Sequence, residues 1–240
     1  MFNKDRMAGI DVDTIRAFFD SDNPLYKKST QEIVPNLSLI TEALIRNNIR
    51  IVAPCDHHFG DKEHNLAEKE LKINGGFFDL HAEHGTIGAQ KISATKLYDI
   101  VFPLLNRDVV IIPNDANNTR LAEQLDEVIM DARQIIVQKQ SIDVFYRDDN
   151  PGGNVYFEHI LDMLCIEDVF VYGVYAEYCI YTAVLGLLNS KRNVWVITDA
   201  IVPYDRDDGV AALKCMEQMG ARFITTAEFR NILKHNFEII

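Results

Sequence analysis

Apolar residues along this chain follow two rhythms. Short, nearly continuous, β-branched runs occur at 50–56 ("RIVAPCD"), 133–139 ("RQIIVQK"), 168–174 ("DVFVYGV"), 193–201 ("NVWVITDAI") and 221–226 ("ARFITT"). Runs of that kind suit strands buried on both faces. Between them the spacing is helical, in "VPNLSLITEALIRNN", "YFEHILDML", "EYCIYTAVLGLLNS" and "DGVAALKCMEQMG". The last of these closes on Gly220, a residue suited to a helix C-terminus. "MAGIDVD" at 7–13 is a weaker first strand. The alternation predicts an α/β domain with a mostly parallel sheet and helices on both faces. Ligands of such sheets gather at the carboxyl ends of the strands. The stretch 59–132 is the least regular; it predicts long loops with a strand pair and a helix, and long ordered loops often carry function.

Composition narrows the classes. The chain has 240 residues, 48% of them hydrophobic and 25% charged, enough to bury one full core. Residues 1–240 are read as a single domain, with the irregular region as a long loop or insert. With 24 basic against 36 acidic side chains the net charge is -12. That opposes binding to a phosphate backbone, which needs a basic footprint. No apolar run reaches the roughly 18 residues of a membrane span, and the first residues lack the apolar core of a signal peptide. A cytoplasmic protein with no nucleic-acid or membrane partner is expected. Cys55, Cys165, Cys179 and Cys215 show no CxxC spacing and read as free thiols.

Chemistry concentrates in two places. "CDHHFGDKEH" (55–64) crowds three histidines and two aspartates after an apolar strand. Asp56 and His58, two apart, project to one side of an extended segment. His64 follows after a short loop, and His81 arrives from "FFDLHAEHGTIGAQ". One carboxylate with two or three imidazoles suits Zn²⁺, Fe²⁺ or Mn²⁺ with coordination positions left open. A surface His/Asp loop that binds nothing is the competing reading. The second place is "VFVYGVYAEYC", a strand, Gly173, a turn and then a helix. Cys179 in a first helical turn would feel the positive end of the helix dipole, which favours thiolate. The alternative is a packed small hydrophobe. A nucleophile needs a proton acceptor. Asp11 and Asp13 end the first strand, and Lys139 ends a buried one.

Together these segments resemble the nicotinamidases of the isochorismatase-like cysteine hydrolase superfamily. "GVYAEYC" is similar to the family's Gly-Val-Ala-Thr-Asp-Tyr-Cys turn, which implies Cys179 as nucleophile. "IDVD" resembles the start of its Val-Asp-X-Gln-Asn-Asp-Phe segment, implying Asp11 as general base. Lys139 before "DVFY" matches the family's lysine. "CDHH" resembles Asp-Trp-His, and the 78–90 loop resembles Trp-Pro-X-His-Cys-X-X-Gly-Thr-X-Gly-Ala. These imply Asp56, His58 and His81 as metal ligands, with His64 at the spacing of an extra family histidine.

The resemblance further implies a three-layer sandwich around a parallel sheet, a cis peptide at Val174–Tyr175, and an oxyanion site at the amides of Tyr175 and Cys179. An aromatic wall from Phe78 and one of Phe18 or Phe19, with help from Tyr146, is implied too. So are hydrolysis of nicotinamide through a thioester, a divalent metal (Zn²⁺ first) and a homo-oligomer. Tyr175 and Ala176 depart from the family's Ala and Thr. Tyr175 would border the acyl pocket, which opens a second expectation: an amidase for another small amide, carbamoyl or ureido. A non-catalytic scaffold or binding member is the third.

Overall fold

The computed structural model describes residues 2–60, 70–97, 108–114 and 119–237, with side chains 119–124 left out. Seven strands form one sheet: β1 (Met7–Val12), β2 (Arg50–Asp56), β3 (Val109–Ile112), β4 (Gln134–Lys139), β5 (Asp168–Val174), β6 (Asn193–Val202) and β7 (Arg222–Ile224). Their order is β3-β4-β2-β1-β5-β6-β7, and every pairing is parallel. Among the described residues seven α-helices accompany them: α1 (Arg16–Phe19), α2 (Thr30–Arg46), α3 (Thr119–Asp131), α4 (Phe157–Met163), α5 (Tyr181–Asn189), α6 (Arg206–Gln218) and α7 (Thr226–Phe237).

Both faces of the sheet are apolar, so both must be covered. One face, carrying Ala8, Ile10, Val12, Val52, Ile135 and Val137, packs against α3 to α6 through Ile129, Phe157, Ile160, Val184, Leu187 and Met216. The other, carrying Met7, Ile51, Ala53, Phe170 and Tyr172, meets α2 and α7 through Ile33, Leu37, Ile40, Leu44, Phe229 and Leu233. The result is the three-layer sandwich. Truncating a side chain such as the fully buried Phe157 would cost about 3–5 kcal/mol.

Helix α2 begins at Thr30, four residues before the apolar pattern suggested, and keeps Pro35 inside it. Thr30, Ile33, Leu37, Ile40 and Leu44 form one buried face, and that continuous burial outweighs the hydrogen bond lost at proline. In the irregular region the described residues hold β3 and α3, one strand and a helix in place of a strand pair. The stretch expected to be one helix at 177–190 divides into a π-type turn at Ala176–Ile180 and then α5. None of the described helices is long and apolar enough to cross a membrane.

Candidate active site

Four adjacent strands, β4, β2, β1 and β5, each deliver one polar residue at or just beyond the carboxyl end. Strand alternation puts Lys139 on the face of Ile135 and Val137, and Asp56 on the face of Val52. The parallel register sets Asp56 directly beside Lys139. Asp13 follows β1 in a left-handed conformation, φ 53°, and its carboxylate accepts from the Asp56 amide at 2.7 Å. Cys179 lies in the π-type turn after β5. The Lys139 ammonium is 3.4 Å from Cys179 Sγ and 3.1 Å from Asp13 Oδ2, and it is also paired with Asp56. All four side chains are buried.

Glycine makes this convergence possible. Gly173 has φ +125°, and a Cβ there would lie 1.9 Å from the Val12 carbonyl oxygen. Only glycine lets β5 approach β1 so closely just before the nucleophile turn. The Val174–Tyr175 peptide that follows is cis. Glu177 ties the turn down by accepting from the amides of Tyr204 at 3.0 Å and Asp205 at 2.5 Å. Asn154 anchors the end of β4, donating to the Gln138 carbonyl at 2.7 Å.

Electrostatics here differ from the sequence expectation for the thiol. Burial, then the Asp13 charge, pushes Cys179 well above the ordinary thiol value, and Lys139 opposes them. Both pressures favour the neutral thiol over a thiolate drawn out by a helix dipole. The turn around it is too short and irregular to carry a full dipole. Asp13 is raised as well, by burial and then by Asp56, with Lys139 pulling it down. A carboxylate of raised basicity beside a neutral thiol is a competent proton acceptor. Among these charges Asp56 stays ionised: burial pushes it up, but the Lys139 ammonium against it holds it well below the usual range.

Asp11, expected in that role, is elsewhere. It points to the opposite face of the sheet from Ile10 and Val12 and pairs with Lys91 at 2.6 Å. Its place beside the thiol belongs to Asp13. Laying the family segment Val-Asp-X-Gln-Asn-Asp-Phe on Val12–Phe18 without a gap sets its acid at Asp13 and its phenylalanine at Phe18.

The second cluster adjoins the first. Asp56, His58 and His81 present ligand atoms within 4.8 Å of one another, all buried. The loop bearing His81 is stitched to the end of β2 by His58 N donating to Ala82 O at 3.1 Å and His84 N to His58 O at 2.7 Å. His81 Nδ1 lies 2.8 Å from the Asp79 carbonyl, and its Nε2 lies 3.1 Å from Asp56 Oδ2. A carbonyl only accepts, so Nδ1 carries the proton, and in a neutral ring Nε2 then turns a lone pair towards a carboxylate oxygen. A cation between them, or a second proton, satisfies both. Burial lowers His58 and keeps it neutral, the form that ligates. The donor set thus fits a divalent transition ion. His57 turns away, 3.1 Å from His84. His64 lies outside the described residues.

Of the expected aromatic wall, Phe18 packs edge-on against His81 at 5.3 Å and Tyr175 at 5.6 Å. Phe19 turns away and lines a groove with Arg16 and Gln31. Phe78 meets Tyr178 at 5.2 Å and Tyr204 at 6.1 Å. Tyr175 donates its hydroxyl to Leu25 O at 2.5 Å. Tyr146 is exposed. Cys55 faces away from Asp56, and burial pushes its thiol up to about 12.

The family model of the isochorismatase domain matches residues 109–228, half of the chain. The chain belongs to the isochorismatase domain family. The matched span carries Lys139 and the Cys179 turn of this isochorismatase-like hydrolase; Asp13, Asp56, His58 and His81 precede it. No curated protein matches the sequence. Among solved structures the fold is similar to the pyrazinamidase of Pyrococcus horikoshii in complex with zinc, at 19% identity and TM-score 0.64, covering 92% of this chain and 99% of that one. It is similar to PnC1 from L. infantum in complex with nicotinate, at 15% identity and TM-score 0.68, covering 95% and 96%. A cysteine hydrolase from Pseudomonas syringae pv. phaseolicola aligns at 17% identity and TM-score 0.67, covering 98% and 95%. At these identities the likeness concerns the fold.

Proposed function

We propose that this isochorismatase-like hydrolase is a cysteine amidohydrolase that converts nicotinamide to nicotinate and ammonia. The observation that carries the reading is the meeting of the Cys179 thiol, the Lys139 ammonium and the Asp13 carboxylate beside the Asp56/His58/His81 cluster. The Cys179 proton passes to Asp13 as sulfur attacks the amide carbon. Backbone amides of Tyr175 and Cys179 receive the negative charge on the carbonyl oxygen. Lys139 balances the carboxylates around the thiol throughout. The C–N bond breaks, ammonia leaves with the proton held by Asp13, and a thioester remains. Water, giving a proton to Asp13, opens the thioester, and that proton returns to sulfur.

Asp56, His58 and His81 would hold the divalent ion, Zn²⁺ by preference. When bound it supplies a Lewis-acid site for a pyridine-type ring nitrogen. Phe18 and Phe78 would flank the ring. The pyrazinamidase with zinc and the protein with nicotinate, both of the same fold, support this substrate class. Tyr175, fixed by Leu25 where the family has a small residue, favours a second reading, a carbamoyl or ureido amide.

Ammonia release from a panel of small amides, with and without chelator, tests both. Nicotinamide turnover that chelation weakens is expected. Turnover of ureido compounds alone moves the assignment to the second reading, and silence across the panel removes the amidase.

A further inference from the structure

Behind the Asp13 turn lies a second closed set of buried polar side chains for which the reaction above has no use. Lys91 donates to Asp11 Oδ2 at 2.6 Å and to the Thr14 hydroxyl. The Thr14 hydroxyl donates to Asp11 Oδ1 at 2.6 Å, and Thr95 Oγ1 lies 2.7 Å from Thr14 Oγ1. A hydroxyl has one proton to give. Thr14 gives it to Asp11, so Lys91 and Thr95 both donate to Thr14. Its side chain is held from three directions, and its carbonyl accepts from the Ile92 amide at 3.0 Å. Asp11, Lys91, Thr14 and Thr95 are all buried.

These residues bracket Asp13 in the chain. Asp13 occupies the left-handed region, which a non-glycine residue keeps only where its surroundings hold it. Its amide donates to Pro54 O at 2.9 Å, and its carbonyl accepts from the Ile15 amide at 2.8 Å. A buried ion pair is at best a neutral choice for stability against an apolar pair of equal volume. Its consequence here is geometric: it fixes the residue next to the proton acceptor.

We propose that Thr14, locked by Asp11, Lys91 and Thr95, is a positioning residue that holds the Asp13 carboxylate in reach of Lys139 and Cys179. The inference rests on Asp13 as the base of the proposed reaction. Thr14→Val removes the lock without touching a charge, and Thr14→Ser keeps it. In the full-length protein, Thr14→Val is expected to lower kcat on the order of 10²-fold, the scale of a small misplacement, with KM unchanged. Thr14→Ser is expected to restore most of it.

A measurement without substrate accompanies this, amide hydrogen exchange. The Asp13 amide should exchange faster in Thr14→Val, with the Val52 and Val171 amides unchanged. If Thr14→Val does not fold, Asp11→Asn, of the same shape, replaces it with a several-fold loss of kcat at unchanged KM. Wild-type kcat in the variant used, or equal losses in the Val and Ser variants, overturns the proposal. So does an unaltered Asp13 amide. If the wild type hydrolyses no amide, the function assigned above fails, and the exchange measurement still decides the positioning.

Discussion

Two buried lysine–aspartate clusters flank the carboxyl ends of β1 and β2, and they differ in how their charges close. Around Lys139 one ammonium faces two carboxylates, Asp13 and Asp56, with a thiol and two imidazoles at the margin. Around Lys91 one ammonium faces one carboxylate, Asp11, and two threonine hydroxyls complete the set. The second is balanced in charge, and each of its polar side-chain atoms takes part in a hydrogen bond. The first sets two carboxylates against one ammonium, an excess of negative charge, beside a thiol. Buried excess charge of this kind calls for a cation, a proton or both. In the roles proposed above, the same residue types in nearly the same place serve opposite ends, one reactive and one restraining.

The comparison breaks most sharply at sulfur. Cys179→Ala should reduce amide turnover on the order of 10⁴- to 10⁶-fold with an unchanged melting curve; normal turnover would remove the nucleophile. Next come the two aspartates. Asp13→Asn should lower kcat by roughly 10²- to 10⁴-fold, the range of a general acid–base group, against several-fold for Asp11→Asn. Equal losses would mean that the clusters do not divide the work as described.

In the restraining cluster, Lys91→Met strands the Asp11 carboxylate. A loss of about 3–5 kcal/mol at neutral pH is expected, from removing one partner of a buried pair. Burial already raises Asp11 above its ordinary 3.8. Protonation then favours the folded state, so the deficit relative to wild type should shrink as pH falls towards 3.8 and grow as pH rises through the raised folded value. Paired denaturation curves across pH read this, and a deficit independent of pH would show that Asp11 is not the stranded group. Smallest in rate is the effect at the imidazoles. His58→Ala should release bound metal and raise KM for nicotinamide by about 10- to 100-fold; unchanged metal content would exclude His58 as a ligand.

Much of this architecture was legible along the chain. Strands β2, β4, β5 and β6 are buried on both faces, so their apolar runs stand out. The four-residue β3 and helix α3 lie in a stretch where no long run announces them. Period-two alternation was enough to put Asp56 and His58 on one side of an extended segment, and Gly173 marked the turn before Cys179.

What alternation could not yield was Asp13. By strand logic it shares the face of Asp11, and only the left-handed turn at φ 53° brings it round to the thiol. Lys91 carried no signal, because its partners Asp11 and Thr14 lie 80 and 77 residues away. Composition and periodicity act over neighbouring residues, and they determined the layers, the strand ends and the residue types available there. Which carboxylate meets the sulfur, which lysine answers which charge, and the state of the thiol depend on burial and on contacts between distant segments. Those quantities exist only once the sheet has closed, and the tertiary structure alone decided them.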